Sequence, residues 1–354
     1  MKDWLRRSLI VLILLGSLVL GMTTGEISSM RIQSLLLAVI LIAITYLWAK
    51  ELIGRWWALL PTYLLALSPT LLAQIQGNAD TLALSLSINL ALLSFLGYLI
   101  NPNWFKFILA SLAFGFSVIL SLEALVLIPY LLLITILFYF VNKKFLLVPC
   151  VGILIFGFTM FGAFAFFMET NAPFYVNGVL ETLQNLVRNS IFEWPKVFFY
   201  KEPTASLVLI VFAFVSSLVR IIRSTLALLS NRSRVLLDYL TTHFTEFAMI
   251  IFIIFWLRLT MLNDGPLGMN DLLPIAPLIY ILTVSAARRW FTLEETKKIR
   301  NLMVKFFIMS RELFGLSIKT LLLAVLLIWH FFTALTSVPD FSNYLNIFHA
   351  LFSP

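Results

Sequence analysis

The sequence has few charged residues. Only 12% of its 354 residues are Asp, Glu, Lys or Arg, about half of the roughly 25% that soluble domains carry. Its mean hydropathy is +1.00, and uncharged runs such as 107–120 and 124–141 approach the ~20 residues that cross about 30 Å of hydrocarbon. The composition excludes an ordinary soluble domain and predicts an integral membrane protein.

Residue types that carry catalytic and metal chemistry are scarce as well. The single cysteine, Cys150, has no second cysteine with which to form an internal disulfide. The three histidines, His243, His330 and His349, are scattered without metal-ligand spacing. No Gly-rich phosphate loop precedes a helix pattern, and no Ser, His and Asp constellation is recognisable. We therefore predict no metal and no cofactor, and ATP hydrolysis, metalloproteolysis and haem chemistry are unsupported.

Apolar stretches are abundant instead, and eleven of them alternate with more polar gaps. They predict an all-α fold, a polytopic transmembrane bundle of about 11 helices. The first stretch follows basic residues as a signal peptide would, but residues 19–21 form no convincing cleavage site, so we expect a retained helix. The predicted helices lie at roughly 8–22, 31–49, 57–73, 80–99, 107–120, 124–141, 145–168, 203–219, 244–261, 272–287 and 317–335.

The cationic residues are distributed unequally between the alternate gaps. Cytoplasmic loops retain Lys and Arg, and 20 of the 25 fall in gaps that would share the amino-terminal side. This predicts an amino terminus inside, with short basic loops facing anionic lipid, and it accounts for the net charge of +8 without nucleic acid. The five cations on the predicted outer side are Arg31, Arg188, Lys196, Lys201 and Arg258.

The chain shows no repeat and no flexible linker, so residues 1–354 are expected to form one domain. Segment 169–202 is rich in aromatic residues and is predicted to lie along the outer membrane surface. Segments 220–243 and 288–316 mix basic and apolar residues at helical spacing. They are either interfacial helices on anionic lipid or simple cytoplasmic connectors.

Ionisable residues at the mouth of a membrane bundle are candidates for function. Asp80 stands at the start of the fourth predicted helix, either as a first-turn acid or as part of a polar site. Glu123 separates two short spans, and a turn is the simpler interpretation. Arg258 lies near a helix end, where a guanidinium snorkels or holds a phosphate. Lys201 precedes Pro203 at a helix start and either neutralises a phosphate or pairs with lipid headgroups.

Several short motifs follow one another along the chain. Residues 48–73 contain Lys-Glu-Leu, Arg-Trp-Trp and Ser-Pro-Thr-Leu-Leu-Ala, and 110–129 form two apolar segments ending in Pro. Residues 198–203 are Phe-Phe-Tyr-Lys-Glu-Pro, 268–277 contain Asp-Leu-Leu-Pro, and 338–346 begin Val-Pro-Asp-Phe. Together they resemble the protein O-mannosyltransferase-like glycosyltransferases of the GT-C superfamily, the dolichyl-phosphate-mannose type.

The resemblance implies a membrane glycosyltransferase that takes a sugar from a polyprenyl-phosphate donor at the outer face of the membrane. In such a reaction an acid acts as general base towards the acceptor hydroxyl, and a cation stabilises the departing lipid phosphate. The resemblance assigns catalysis to Asp80 and the donor phosphate to Lys201, and Arg258 is a further candidate for contact with that phosphate. The substrate site would be lined by Gln74, Asn78, Glu123, Asn270 and Asp271.

Two differences from the family keep an alternative open. The family's long first outer loop has no counterpart in 23–31, and Asn270 and Asp271 stand where the family has Arg and His, so a bidentate cation is missing. A non-catalytic member that binds lipid or supports a partner glycosyltransferase fits these differences, as does a fragment of a longer gene. A transporter is a third hypothesis, although mid-helix charges are nearly absent and no internal symmetry is visible. The expected location is a prokaryotic cytoplasmic membrane.

Overall fold

The structure, a computed structural model, describes residues 2–22, 29–76, 78–142, 147–167, 202–229, 243–260, 272–291 and 302–338. Within them the predicted all-α class is confirmed, because they form helices, one 3-10 turn at Leu122–Val126 and no strand. The helices are α1 (Lys2–Met22), α2 (Ser29–Ile53), α3 (Leu59–Ala66), α4 (Pro69–Ile75), α5 (Ala79–Ile100), α6 (Trp104–Leu120), α7 (Leu127–Asn142), α8 (Leu147–Phe167), α9 (Thr204–Leu229), α10 (Phe244–Thr260), α11 (Ala276–Phe291) and α12 (Leu302–Thr336).

Several helices are long and apolar enough to cross a membrane. Among the described residues these are Arg31–Ile53, Ala79–Ile100, Glu123–Asn142 and Gly315–Thr336, with shorter apolar helices at Trp104–Leu120, Val148–Gly162 and Thr204–Ser216. Many large apolar side chains face outward, as expected where lipid is the solvent. The chain is a membrane-embedded helical bundle. The count of about 11 spans and the inside amino terminus remain predictions.

The helices α2, α3 and α11 pack on one another, and α5 packs on α2. On one side α6 packs on α5 and α8 packs on α6. On the other side α9 packs on α11 and α12 packs on α9, while α10 contacts α7 and α11. The core of buried apolar residues lies between these elements.

The predicted continuous span 57–73 is wrong, because the structure interrupts it between α3 and α4. Pro69 begins α4, and Ser68 before it is extended at φ −69° and ψ 127°, since proline disfavours the helical conformation in its predecessor. The Ser68 N–H therefore donates to the Leu65 carbonyl at 3.1 Å instead of to Leu64, the carbonyl four residues back. Proline also has no N–H of its own to donate. The break leaves the Leu64 carbonyl open to a partner outside α3.

The two predicted basic segments are partly helical extensions. α9 continues through Leu229, and α12 begins at Leu302, well before the predicted start of its span at 317. Residues 230–242 and 292–301 lie outside the described residues. Of the predicted surface loop 169–202, only Glu202 belongs to the described part.

Each end of the bundle is named after one residue. The Asp80 end is where α5 begins and α6 ends, and the Lys106 end is where α5 ends and α6 begins. The turn at 101–103 closes the Lys106 end, where the Lys106 ammonium donates to the Gly97 carbonyl at 3.1 Å. The sequence predicts that the Asp80 end faces outward.

Two glycines allow α6 and α8 to cross closely. A Cβ on Gly115 would lie 2.8 Å from the Gly157 carbonyl oxygen, and a Cβ on Gly157 would lie 2.3 Å from Cδ1 of Phe114. Phe114 is fully buried. Small residues let membrane helices gain packing contacts where no hydrophobic effect drives them together, so this crossing depends on both glycines.

Gly157→Ala should destabilise the bundle by about 1–3 kcal/mol, because the added methyl group overpacks the α6–α8 crossing. Gly162→Ala on the same helix is the matched control, since nothing lies within 4 Å of its added Cβ. Thermal unfolding in detergent should show a lower midpoint for Gly157→Ala and an unchanged or higher one for Gly162→Ala. Equal midpoints for the two variants would contradict the close crossing.

Candidate functional site

An apolar groove of about 660 Å³ runs between α2, α5 and α6 from the Asp80 end. Its α5 wall is made by residues that recur every three or four positions, including Asp80, Ala83, Ser87 and Leu90, which places them on one helical face. The opposite face of α5 is buried in the core. The lining also includes Gln33, Leu36 and Leu37 of α2, Ala79 and Leu86 of α5, and Leu109, Leu112, Ala113 and Phe116 of α6.

The polar groups of this groove are concentrated at its mouth. Asp80 and Gln33 are exposed there, whereas the Ser87 hydroxyl is already used in a 2.9 Å bond to the Leu84 carbonyl of its own turn. Asp80 occupies the first turn of α5, where the helix N-terminus favours a negative charge. The groove therefore combines a long apolar wall with one carboxylate at its open end.

Gln74 and Asn78 connect α4 to the start of α5. The Asn78 Nδ2 donates to Oε1 of Gln74 at 2.8 Å, and the Asn78 N–H donates to the Gln74 carbonyl at 3.0 Å. Gln74 is buried, while Asn78 is exposed and stands at the N-cap of α5 without capping it through its side chain. These bonds fix the turn from which Asp80 projects.

The other predicted site residues lie elsewhere or outside the described part. Glu123 lies in the 3-10 turn between α6 and α7, where its N–H donates to the Ser121 hydroxyl at 3.2 Å. Arg258 is half-buried in the last turn of α10, at the same end of the bundle. Neither side chain belongs to the described lining of the groove. Lys201, Asn270 and Asp271 lie outside the described residues.

The side of α5 that faces the core holds the turn before α11 in place. Asn89 Nδ2 donates to the Pro274 carbonyl at 3.0 Å and to the Ser85 carbonyl at 2.8 Å. The Ser85 hydroxyl donates to the Leu273 carbonyl at 3.1 Å. α5 therefore links the groove on one face to the 272–275 turn on the other.

The structure also assembles a buried polar cluster that sequence reasoning missed. The Tyr280 hydroxyl donates to Oε1 of Glu202 at 2.6 Å, and the Ser206 hydroxyl lies 3.0 Å from Nδ1 of His330. The Ser206 hydroxyl also contacts the Glu202 carboxyl. Glu202 is 5% exposed and the other three side chains at most 1%.

The surroundings of Glu202 change the pKa of its carboxyl. Burial raises the pKa of Glu202 from 4.5 to about 7, and the contacts with Tyr280 and Ser206 oppose this rise without cancelling it. Glu202 lies before the first turn of α9, outside the membrane-spanning helices. Its carboxyl is therefore largely protonated up to near-neutral pH, unlike an exposed Glu.

One feature of the sequence pointed to this cluster. His330 interrupts an otherwise apolar stretch of α12, and an ionisable residue inside a membrane helix is a functional candidate by default. The hydrogen-bonding partners of His330 come from α3 and α9, which no spacing within the sequence connects to α12. Within the described residues no group of three metal-ligating side chains occurs.

No protein-family model matches this chain, and no curated protein matches its sequence. The class of the protein therefore rests on fold and site. It is a membrane-embedded helical bundle with a lateral apolar groove that ends in a carboxylate, and with a separate buried cluster of titratable groups.

Asn89→Leu should lower stability by about 1–3 kcal/mol, because the buried Pro274 carbonyl loses its donor. Ser87→Ala is the control on the same helix and should change stability by no more than about 0.5 kcal/mol. Unfolding midpoints in detergent measure both effects. A loss in Asn89→Leu no larger than that in Ser87→Ala would show that Asn89 does not hold the turn.

Proposed function

We propose that this chain is a membrane glycosyltransferase-like protein that takes a sugar from a polyprenyl-phosphate donor. The observation that carries the proposal is Asp80 at the open end of the 660 Å³ apolar groove. A polyprenyl-phosphate sugar has two corresponding parts: a long apolar chain that would lie in the groove, and a polar headgroup that would lie near Asp80. The resemblance to GT-C enzymes supplies the reaction type.

The groove suits a prenyl chain because it opens sideways towards lipid. Leu36, Leu112 and Phe116 line it and are exposed on the outer surface of the bundle. A donor lipid would enter from the membrane between α2 and α6, with its headgroup near Asp80 and Gln33. The prenyl chain would then exchange contacts with membrane lipid for closer van der Waals contacts with the groove, and this difference would supply binding energy.

The proposed transfer step uses Asp80 as its general base. Asp80 accepts the proton of the acceptor hydroxyl while its oxygen attacks the anomeric carbon of the sugar. The bond from that carbon to the phosphate oxygen breaks, and the phosphate leaves with the electron pair. A cation lowers the energy of the departing charge. The resemblance gives this role to Lys201, and Arg258, in the last turn of α10 at the Asp80 end, is a further candidate.

Asp80→Asn should reduce sugar transfer by about 10²–10⁴-fold, because the amide cannot accept the acceptor's proton. The measurement is transfer of a labelled sugar from polyprenyl phosphate by membranes that contain equal amounts of each variant. Glu51→Gln is the matched acid-to-amide control, since Glu51 is exposed in α2 at the Lys106 end. Equal activity of Asp80→Asn and the wild type would refute a catalytic role for Asp80.

Ala83→Phe should raise the KM for the lipid donor, because the ring fills the groove where the prenyl chain would lie. Leu47→Phe is the control, since Leu47 is 54% exposed and faces outward from α2. Donor titrations at saturating acceptor separate KM from kcat. An unchanged KM in Ala83→Phe would place the donor chain elsewhere.

One observation favours a second candidate, a non-catalytic lipid-binding or partner subunit of the same fold. The described lining of the groove contains no Lys or Arg that would face a phosphate. Binding of the donor without transfer, with equal affinity in the wild type and in Asp80→Asn, would support this candidate. Transfer by the wild type that is lost in Asp80→Asn would exclude it.

A further inference from the structure

A second apolar groove, of about 240 Å³, lies beside α10, between that helix, α9 and α11. Its lining residues on α11 recur every three or four positions from Ile279 to Arg289, which places them on one helical face. A rise of 1.5 Å per residue makes that stretch about 15 Å long. The other residues that line this α10 groove are Leu282, Thr283 and Ala286 of α11, Ile210, Ala213 and Phe214 of α9, and Glu246, Ile250, Ile253 and Ile254 of α10.

The long side of the α10 groove opens to the surface of the bundle that lipid would cover. Phe214 is 67% exposed, Ile254 59% and Ile250 41%. Ala213 and Thr283 also line the groove, and they are buried. An occupant would therefore enter sideways from the membrane and pack against the buried residues.

The size of the α10 groove fits a single hydrocarbon chain. Spread over its length, the volume corresponds to a cross-section on the order of 16 Å², whereas an α-helix with its side chains is about 10 Å across. A transmembrane helix of a partner or of a second copy is too wide to enter. A lipid chain fits, and it would exchange contacts with other lipids for closer contacts with the lining.

One end of the α10 groove carries a polar cluster. Arg289 donates through Nη2 to Oε1 of Glu246, and the same nitrogen lies 2.8 Å from Nδ1 of His243. The Ser285 hydroxyl donates to Oε1 of Glu246 at 2.6 Å. The side chains of Arg289 and Glu246 both line the groove and are 25% and 23% exposed. A polar headgroup would therefore reach them from the membrane surface.

Positive charge exceeds negative charge at this end of the α10 groove. Arg288 and Arg289 lie together in the last turn of α11. The Lys319 ammonium donates to the Trp290 carbonyl at 2.9 Å and lies 4.9 Å from the centroid of its ring. The described contacts join one carboxylate, Glu246, to these three cations. Because a guanidinium presents N–H donors in a fork that matches phosphate, charge complementarity favours an anionic headgroup.

We propose that the α10 groove binds one acyl chain of an anionic phospholipid, with the lipid phosphate at Arg289. Glu246 lies in the first turn of α10, so this cluster is at the Lys106 end of the bundle. The sequence predicts that this end faces inside, where anionic lipids give the leaflet a negative potential that attracts basic residues. The proposed donor groove lies between other helices and opens at the Asp80 end, so this proposal is independent of sugar transfer.

The two members of the ion pair give opposite predictions. Arg289→Gln removes the phosphate partner and leaves Glu246 near the headgroup, so the affinity for an anionic phospholipid should fall about fivefold. Glu246→Gln breaks the same ion pair but removes a negative charge, so the affinity should rise. A loss of stability is common to both variants and does not produce opposite shifts. Lys50→Gln removes a cation from the last turn of α2 and is the control that should leave the affinity unchanged.

Native mass spectrometry of the full chain in uncharged detergent measures these affinities. Phosphatidylglycerol should form a one-to-one complex that is about fivefold tighter than the complex with phosphatidylcholine of the same chain length. Soluble glycerol phosphate should not bind, because it has no chain for the groove. Equal affinities for the two lipids, binding of glycerol phosphate as tight as that of the lipid, or shifts of the same direction in both ion-pair variants would overturn the proposal. A lipid-free dimer would overturn it in favour of a second copy.

Ala213→Phe tests the place of the chain, because its ring would fill the α10 groove and should abolish the one-to-one complex. Val211→Phe on the same helix is the control, since Val211 is 47% exposed and lies outside the described lining. If Ala213→Phe does not fold, Ile254→Trp fills the groove from its exposed rim and makes the same test. Unchanged phosphatidylglycerol binding in the folded variant would place the lipid elsewhere and overturn the proposal.

Discussion

The hydrogen bond from His330 to the Leu64 carbonyl is the contact on which the interior of this bundle depends. In lipid no water satisfies a backbone group that a helix has released, so a break must be repaired by a neighbouring side chain. Pro69 creates such a break, and α12 supplies the donor at 3.1 Å. This single repair makes Nε2 the donor nitrogen of His330 and leaves Nδ1 of the same ring 3.0 Å from the Ser206 hydroxyl.

At the same end of the bundle, α5 separates the apolar groove from the 272–275 turn. One face of α5 lines the apolar groove and presents Asp80 at its mouth. The other face, through Ser85 and Asn89, holds the carbonyls of the 272–275 turn. The groove and the polar interior are therefore built on one rigid helix, which keeps the position of Asp80 tied to the core.

The sequence predicted the helical class and several helix bounds well. The stretch predicted at 80–99 corresponds to Ala79–Ile100, because a long apolar run of this length favours a membrane-spanning helix. The prediction over 57–73 was wrong, since apolar composition hides the local effect of Pro69. Asp80 was expected at a helix start, and it lies in the first turn of α5. Its place at the end of a groove depended on how α2 and α6 pack against α5.

The sequence by itself determined that the chain is helical and membrane-embedded. Long uncharged runs are stable in hydrocarbon, and there the backbone N–H and C=O groups must be hydrogen-bonded within a helix. Locally it also favours the end of α3, since Pro69 disfavours a helical conformation in Ser68. Only the tertiary structure decided which side chain would meet the freed carbonyl. Ser206 and His330 are 124 residues apart, and only the packing of α12 on α9 brings them together beside the freed Leu64 carbonyl.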